Sequence, residues 1–198
     1  MDFIQAKNFT RAKTPRKITL IVIHAAECGE RPGAARNVAA YFAGAAAPQA
    51  SAHYVVDSID TIQCVHDADI AWHAGPVNGC SIGVEHAGRA GQTEEEWADA
   101  YSLAVLARSA ELVASLCYAY DIPVVWLDDA AIARGERRGI CGHVDVTRGM
   151  HWGTHWDPGP HFPRARYLEL VARELARIHA AEAPTLPELP LTRDGSGL

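Results

Sequence analysis

The chain has no uninterrupted apolar run approaching the ~20 residues that a membrane-spanning helix needs. It also lacks a basic excess: 18 Lys plus Arg stand against 24 Asp plus Glu, for a net charge of -6. The basic stripe of a nucleic-acid binder is therefore missing, and no nucleic-acid partner is expected. Five cysteines (Cys28, Cys64, Cys80, Cys117 and Cys141) are an odd number with no C-x-x-C pair. This argues against a disulfide scaffold and against a structural zinc knuckle. Residues 1–19 alternate charged and apolar side chains without the apolar core of a signal peptide, so synthesis in the cytoplasm is expected.

What is present is a chain of 198 residues, enough for one domain with a sizeable core and a tail. Ile18 to Ile23 is a β-branched-rich run of the kind buried on both faces of a sheet, and it ends at His24. Pro32 to Ala47 reads as a helix with Val38, Tyr41 and Phe42 on one face. Ser51–Val56 and Thr61–Val65 read as a hairpin around Asp57–Asp60. Ser81–His86 is a further strand, in which alternation sends Ile82 and Val84 one way and Glu85 the other. Thr93 with Glu96 reads as the capping box of the longest helix, with Leu103, Leu106, Ala110, Val113 and Cys117 inward. Pro123–Trp126 suggests a short strand. Pro163–Ala181 suggests a second amphipathic helix with Tyr167, Leu170, Val171, Leu175 and Ile178 inward.

This mixture predicts an α/β fold with a single central mixed β-sheet flanked by helices, over residues 1–182. The remainder, 183–198, holds three prolines within seven residues and reads as a Pro-rich linker or disordered tail.

The strongest chemical signal runs from Gly142-His143 to Asp157-Pro158-Gly159-Pro160. His143 and Asp157 are 14 residues apart, too far for one helical face, so they meet only if a loop folds back. Zinc would hold such a loop, since it accepts imidazole nitrogen and carboxylate oxygen and a catalytic site uses three protein ligands plus water. His24, at a strand end well upstream, suits the third position. Cys141 is the rival ligand, because thiolate also suits zinc. Another divalent ion remains an alternative, since this ligand set suits several. A purely structural site would add a fourth ligand, with Cys141 or His155 the candidates. The bland alternative for each residue is an ordinary surface or capping role.

Six motifs occur in the order seen in one family: Ile21-Val22-Ile23-His24, Ser51-Ala52-His53-Tyr54, Trp72-His73-Ala74-Gly75, Ser81-Ile82-Gly83-Val84-Glu85, Gly142-His143-Val144-Asp145 and Asp157-Pro158-Gly159-Pro160. Through them, about residues 17–180 resemble the zinc-dependent N-acetylmuramoyl-L-alanine amidases of the type 2 group, related to the peptidoglycan recognition proteins. The resemblance implies zinc on His24, His143 and Asp157, Glu85 as general base, and peptidoglycan as substrate. It also implies a cleft lined by His53 and Tyr54, with Trp72 and His73 on its wall; the alternative for His53 is a core-edge histidine bonded to backbone. In many relatives a lysine stands two residues before the last ligand; here that position is His155, which would stabilise the oxyanion in a pH-sensitive way.

The setting this suggests is a phage endolysin, made in the host cytoplasm and released to the wall, in which the Pro-rich stretch would lead to a wall-binding module. A cytoplasmic peptidoglycan-recycling amidase and a non-catalytic peptidoglycan-binding module are the alternatives. His86 is expected to point away from the site, and His151, His161 and His179 to lie on the surface.

Overall fold

Leu20–Ala25 forms a strand whose six residues are all buried, and the sheet is built outward from it. The computed structural model describes residues 1–182, so the Pro-rich tail expected at 183–198 lies outside the described residues. In chain order the strands are β1 (Asp2–Phe3), β2 (Phe9–Thr10), β3 (Leu20–Ala25), β4 (Tyr54–Val56), β5 (Thr61–Gln63), β6 (Ile70–Ala71), β7 (Ser81–His86) and β8 (Gly139–Gly142). The helices are α1 (Ala34–Ala43), α2 (Ala100–Tyr120), α3 (Asp129–Ala133), α4 (His143–Met150) and α5 (Arg164–Glu182). Six strands make one sheet in the order β1-β5-β4-β7-β3-β8. Only the β4–β5 hairpin is antiparallel within it, so the sheet is mixed, as expected. β2 and β6 pair separately.

Strand alternation divides the side chains between two layers. Ile21, Ile23, Ile82 and Val84 pack with Leu106 and Val113 of α2 and with Tyr167 and Val171 of α5. Each such aliphatic side chain contributes about 1.5–3 kcal/mol on full burial. The opposite face is covered by two separate clusters. In one, Val38 and Phe42 of α1 cover Val55 and Ile62. In the other, Ile132 of α3 and Val146 of α4 cover Leu20, Val22 and Cys141. The gap between these clusters is where His24 and Glu85 emerge.

Several boundaries differ from the sequence reading. Thr93 and Glu96 do form a reciprocal box, the Glu96 carboxylate accepting from the Thr93 amide at 2.8 Å. That box caps a single 3-10 turn, and α2 begins later, with Asp99 accepting from the Ser102 amide at 2.7 Å. Ser102, Val105 and Ser109 are buried in the helix face beside the expected Leu106, Ala110, Val113 and Cys117, while Leu103 is only half-buried. Pro123–Trp126 yields one bridge, Trp126 to Ile140, rather than a strand. α1 is shorter than Pro32–Ala47 because Gly33, at φ 82°, and extended Gly44 bound it. The short helices α3 and α4 were not anticipated. By length and hydropathy α2 would pass for a membrane span, but half of that stretch is buried inside the protein.

Two buried histidines tie loops and helices to the sheet. His86 reaches Ser109 Oγ at 2.6 Å, which in turn contacts the Tyr167 hydroxyl at 2.7 Å. His53 Nδ1 accepts from the Gly83 amide at 3.0 Å. Burial, aided by neighbouring positive charge, lowers both histidines from 6.5 to about 3. Below pH 6.5 the unfolded chain therefore takes up protons that the folded chain refuses. Stability should be complete above that pH and decline as pH falls toward 3. Thermal melts across this window should show the decline, and His86→Gln should remove part of it. A melting temperature that stays level from about pH 7 to pH 4 would contradict this account.

Candidate active site

Three elements deliver the cluster that the sequence singles out. His24 and Glu85 are register partners on the parallel strands β3 and β7, so the two side chains stand side by side. β8 pairs Gly142 with Ile23, which brings the following residue, His143, alongside His24. His143 opens α4, and Asp145 locks that opening. Its Oδ2 accepts from the Gly142 amide at 2.8 Å and from Trp126 Nε1 at 3.0 Å, while Arg164 lies 3.5 Å from Oδ1.

The turn carrying Asp157 is pinned to the same place. Val144 donates to the Asp157 carbonyl at 2.9 Å, and the Asp157–Pro158 bond is cis. A Cβ on Gly142 would lie 2.6 Å from Pro158, and one on Gly159, at φ 102°, 1.8 Å from the Ala90 carbonyl oxygen. Only glycine permits either approach.

Asp157 lies between the histidines, with His24 Nδ1 3.0 Å from Oδ2 and His143 Nδ1 3.4 Å from Oδ1. One ligand atom from each residue falls within a 4.8 Å group, the geometry of a candidate metal site. Burial disfavours the Asp157 anion, yet the two neighbouring imidazoles, the hydrogen bond from His143 first, hold its carboxyl well below the usual range. Burial lowers His143 despite Asp157. His155 is exposed and stacks on His143, rings 4.0 Å apart, with Nδ1 3.8 Å from Asp157 Oδ1. Partial burial and the His143 charge lower it. Glu85 is the contrasting carboxyl. Its Oε2 is buried without a partner, and burial, then the charges of Asp157 and Glu27, push its pKa well up.

These groups open into a cleft of about 710 Å³ that continues along α1 past Tyr41 and Phe42. Trp72 lines it, with Nε1 donating to Thr10 Oγ1 at 2.9 Å. His73 also reaches it, but the ring is buried behind His24, its Nδ1 3.1 Å from His24 Nε2. His53 and Tyr54 do not line the cleft, which corrects the expectation. His53 is fully buried against Gly83, Asp69 and Arg16. Tyr54 belongs to the opposite face of the sheet, its hydroxyl donating to Asp67 at 2.6 Å. Cys141 is buried with Leu20 and Val22 and is no part of the donor group.

Sequence reasoning passed over Arg16, Asp145 and Trp156. Asp145, three residues beyond Gly142, was signalled by its capping spacing. Arg16 is half-buried, bonding carbonyls of Asp67 and Asn78 at 3.1 Å, and nothing in its flanks announces this.

A two-histidine, one-carboxylate cluster with a second acid on the adjacent strand suits metal-assisted hydrolysis. Residues 14–160 match the model of the N-acetylmuramoyl-L-alanine amidase family, and the chain belongs to that family. Amidase activity follows from membership. N-acetylmuramoyl-L-alanine amidase A of Achromobacter lyticus is 32% identical over 133 residues, 62% of this chain and 69% of that protein. The solved structure of Staphylococcus aureus hydrolase AmiA in complex with its ligand superposes with a TM-score of 0.65 at 15% identity, over 93% of this chain and 87% of that one. An AmpD derivative superposes at 0.61 and 24% identity, over 86% and 93%. Both share the fold, a sheet flanked by helices.

The His73 ring lies directly on β7, where a Cβ added at Gly83 would be 2.6 Å from it. Gly83→Ala should therefore cost about 1–3 kcal/mol through overpacking. Urea unfolding measures this, and an unchanged midpoint would show that the ring has room to move.

Proposed function

We propose that this chain cuts the amide bond between N-acetylmuramic acid and L-alanine in peptidoglycan, using zinc held by His24, His143 and Asp157. The observation that carries the reading is the convergence of both Nδ1 atoms on one buried carboxylate. The donor set fits the ion, because two imidazoles and a carboxylate leave a fourth position of a tetrahedral site open. Zinc bound there would polarise the amide carbonyl and lower the pKa of water from ~15.7 toward ~7.

The protein's own groups supply the remainder. Glu85, on the strand beside His24, takes the proton of the attacking water and returns it to the departing alanine nitrogen. His155, exposed beside the cluster, donates toward the oxygen on which negative charge develops. Trp72 and the half-exposed Trp156 offer aromatic faces for the glycan or peptide.

The wall itself is the proposed substrate, in the manner of a phage endolysin released from the cytoplasm where the chain is made. The cleft running on along α1 supports this, since it has room for more than the scissile bond. A recycling amidase would instead act on soluble fragments, and a binding module would not cut at all.

Asp157→Ala should lose bound zinc and activity together. Glu85→Gln should retain zinc while cleavage falls by about 10²–10⁴-fold. His155→Ala should cost about 10²–10³-fold in kcat if it stabilises the oxyanion. Zinc content, release of peptide from purified walls, and release from soluble anhydro-muropeptides read these outcomes. Cleavage confined to the soluble fragments would favour recycling. Binding of walls without cleavage by the zinc-loaded native chain would favour the recognition module.

A further inference from the structure

Ser81 has one hydroxyl proton and two polar neighbours. Val77 O, at 2.7 Å, can only accept, so the proton lies on that bond. His73 Nε2, 3.1 Å from the same Oγ, must then be the donor. His73 is buried, and its ring meets the His24 and His53 rings and the Ser81 hydroxyl rather than a carboxylate, so it is a neutral imidazole with one ring proton. Its Nδ1 is accordingly an acceptor, and His24 Nε2, 3.1 Å away, carries the His24 proton toward it.

The consequence falls on the other nitrogen of His24. Nδ1 is a bare lone pair facing Asp157 Oδ2, itself an acceptor, at 3.0 Å. Two acceptors at this separation repel unless a cation stands between them.

We infer that Val77, Ser81 and His73 form a relay that sets the tautomer of His24 and presents its Nδ1 to a metal ion. The inference rests on the zinc reading above and extends it to positioning residues outside the cluster. The backbone is built to keep the relay in place. Asn78 Oδ1 accepts from the His73 amide at 3.2 Å and from the Ala74 amide at 2.7 Å. Gly83 leaves space for the His73 ring against β7, and Ser81 is the first residue of that strand. Outer partners of this kind fix the orientation and proton position of a ligating imidazole.

Ser81→Ala removes the acceptor of His73 Nε2. His73 is then free to carry its proton on Nδ1, which forces the His24 proton onto the nitrogen that faces Asp157. Zinc affinity, measured by chelator competition on protein shown to be folded by circular dichroism, should fall about 10–100-fold. Ser81→Thr, which keeps the hydroxyl, should restore most of it. Long-range proton–nitrogen NMR of the zinc-loaded native protein should find His73 protonated on Nε2. That measurement decides the matter even if Ser81→Ala fails to fold. Unchanged zinc affinity in folded Ser81→Ala, or a native His73 protonated on Nδ1, would overturn the relay and leave the amidase reading intact. A native chain that takes up no zinc would overturn the metal reading and the relay with it.

Discussion

The buried carboxylate of Asp157, 3.0 Å from His24 and 3.4 Å from His143, is the interaction on which the arrangement of the site depends. A buried anion is costly unless paired and hydrogen-bonded. Here the His143 and His24 rings that close on it come from separate elements, so β3, the start of α4 and the 157–160 turn must all be in place. Asp145 holds the start of α4, and the Val144 bond to the Asp157 carbonyl holds the turn. The same anion raises Glu85 next to it, adding to the effect of burial. Two carboxyl groups in one cleft are thus driven in opposite directions.

The cleft exists because one face of the sheet is incompletely covered. α2 and α5 cover the other face in a single apolar cluster. On the cleft side, α1 covers the β4–β5 part and α3 with α4 covers the β3–β8 part, leaving the ends of β3 and β7 between them. Both strands run parallel, so their carboxyl ends lie at the same edge. Ligands in open α/β sheets bind at that edge. His24 and Glu85 are each the penultimate residue of their strand, which accounts for their delivering polar groups to the cleft while Val22, two residues earlier, is still core.

Much of this was legible in the residues, for reasons that differ by element. A β-branched run has one stable home, a central strand, so the place of His24 follows from what precedes it. Alternation in Ser81–His86 separates Glu85 from Val84 and His86 without any knowledge of neighbours. His53 and Tyr54 were misread because a motif names residues and not the direction they face. One sits behind the cleft under Gly83 and the other under α2 and α5. The Thr93–Glu96 box was correctly seen as a cap, but local spacing does not say whether a 3-10 turn or a long helix follows it.

Sequence alone determined the family, the sheet-and-helix class and the identities of the clustered histidines and acids. Each of these is written in local pattern or motif order. Tertiary structure decided which atoms meet. Strand register sets His24 against Glu85, and a loop closed on Gly142 and Gly159 brings Asp157 across 133 residues of chain to His24. The proton arrangement behind His24 was also decided there, because it depends on a hydroxyl, a carbonyl and two rings meeting at hydrogen-bond distance. No periodicity records such distances. They arise only when separate elements pack.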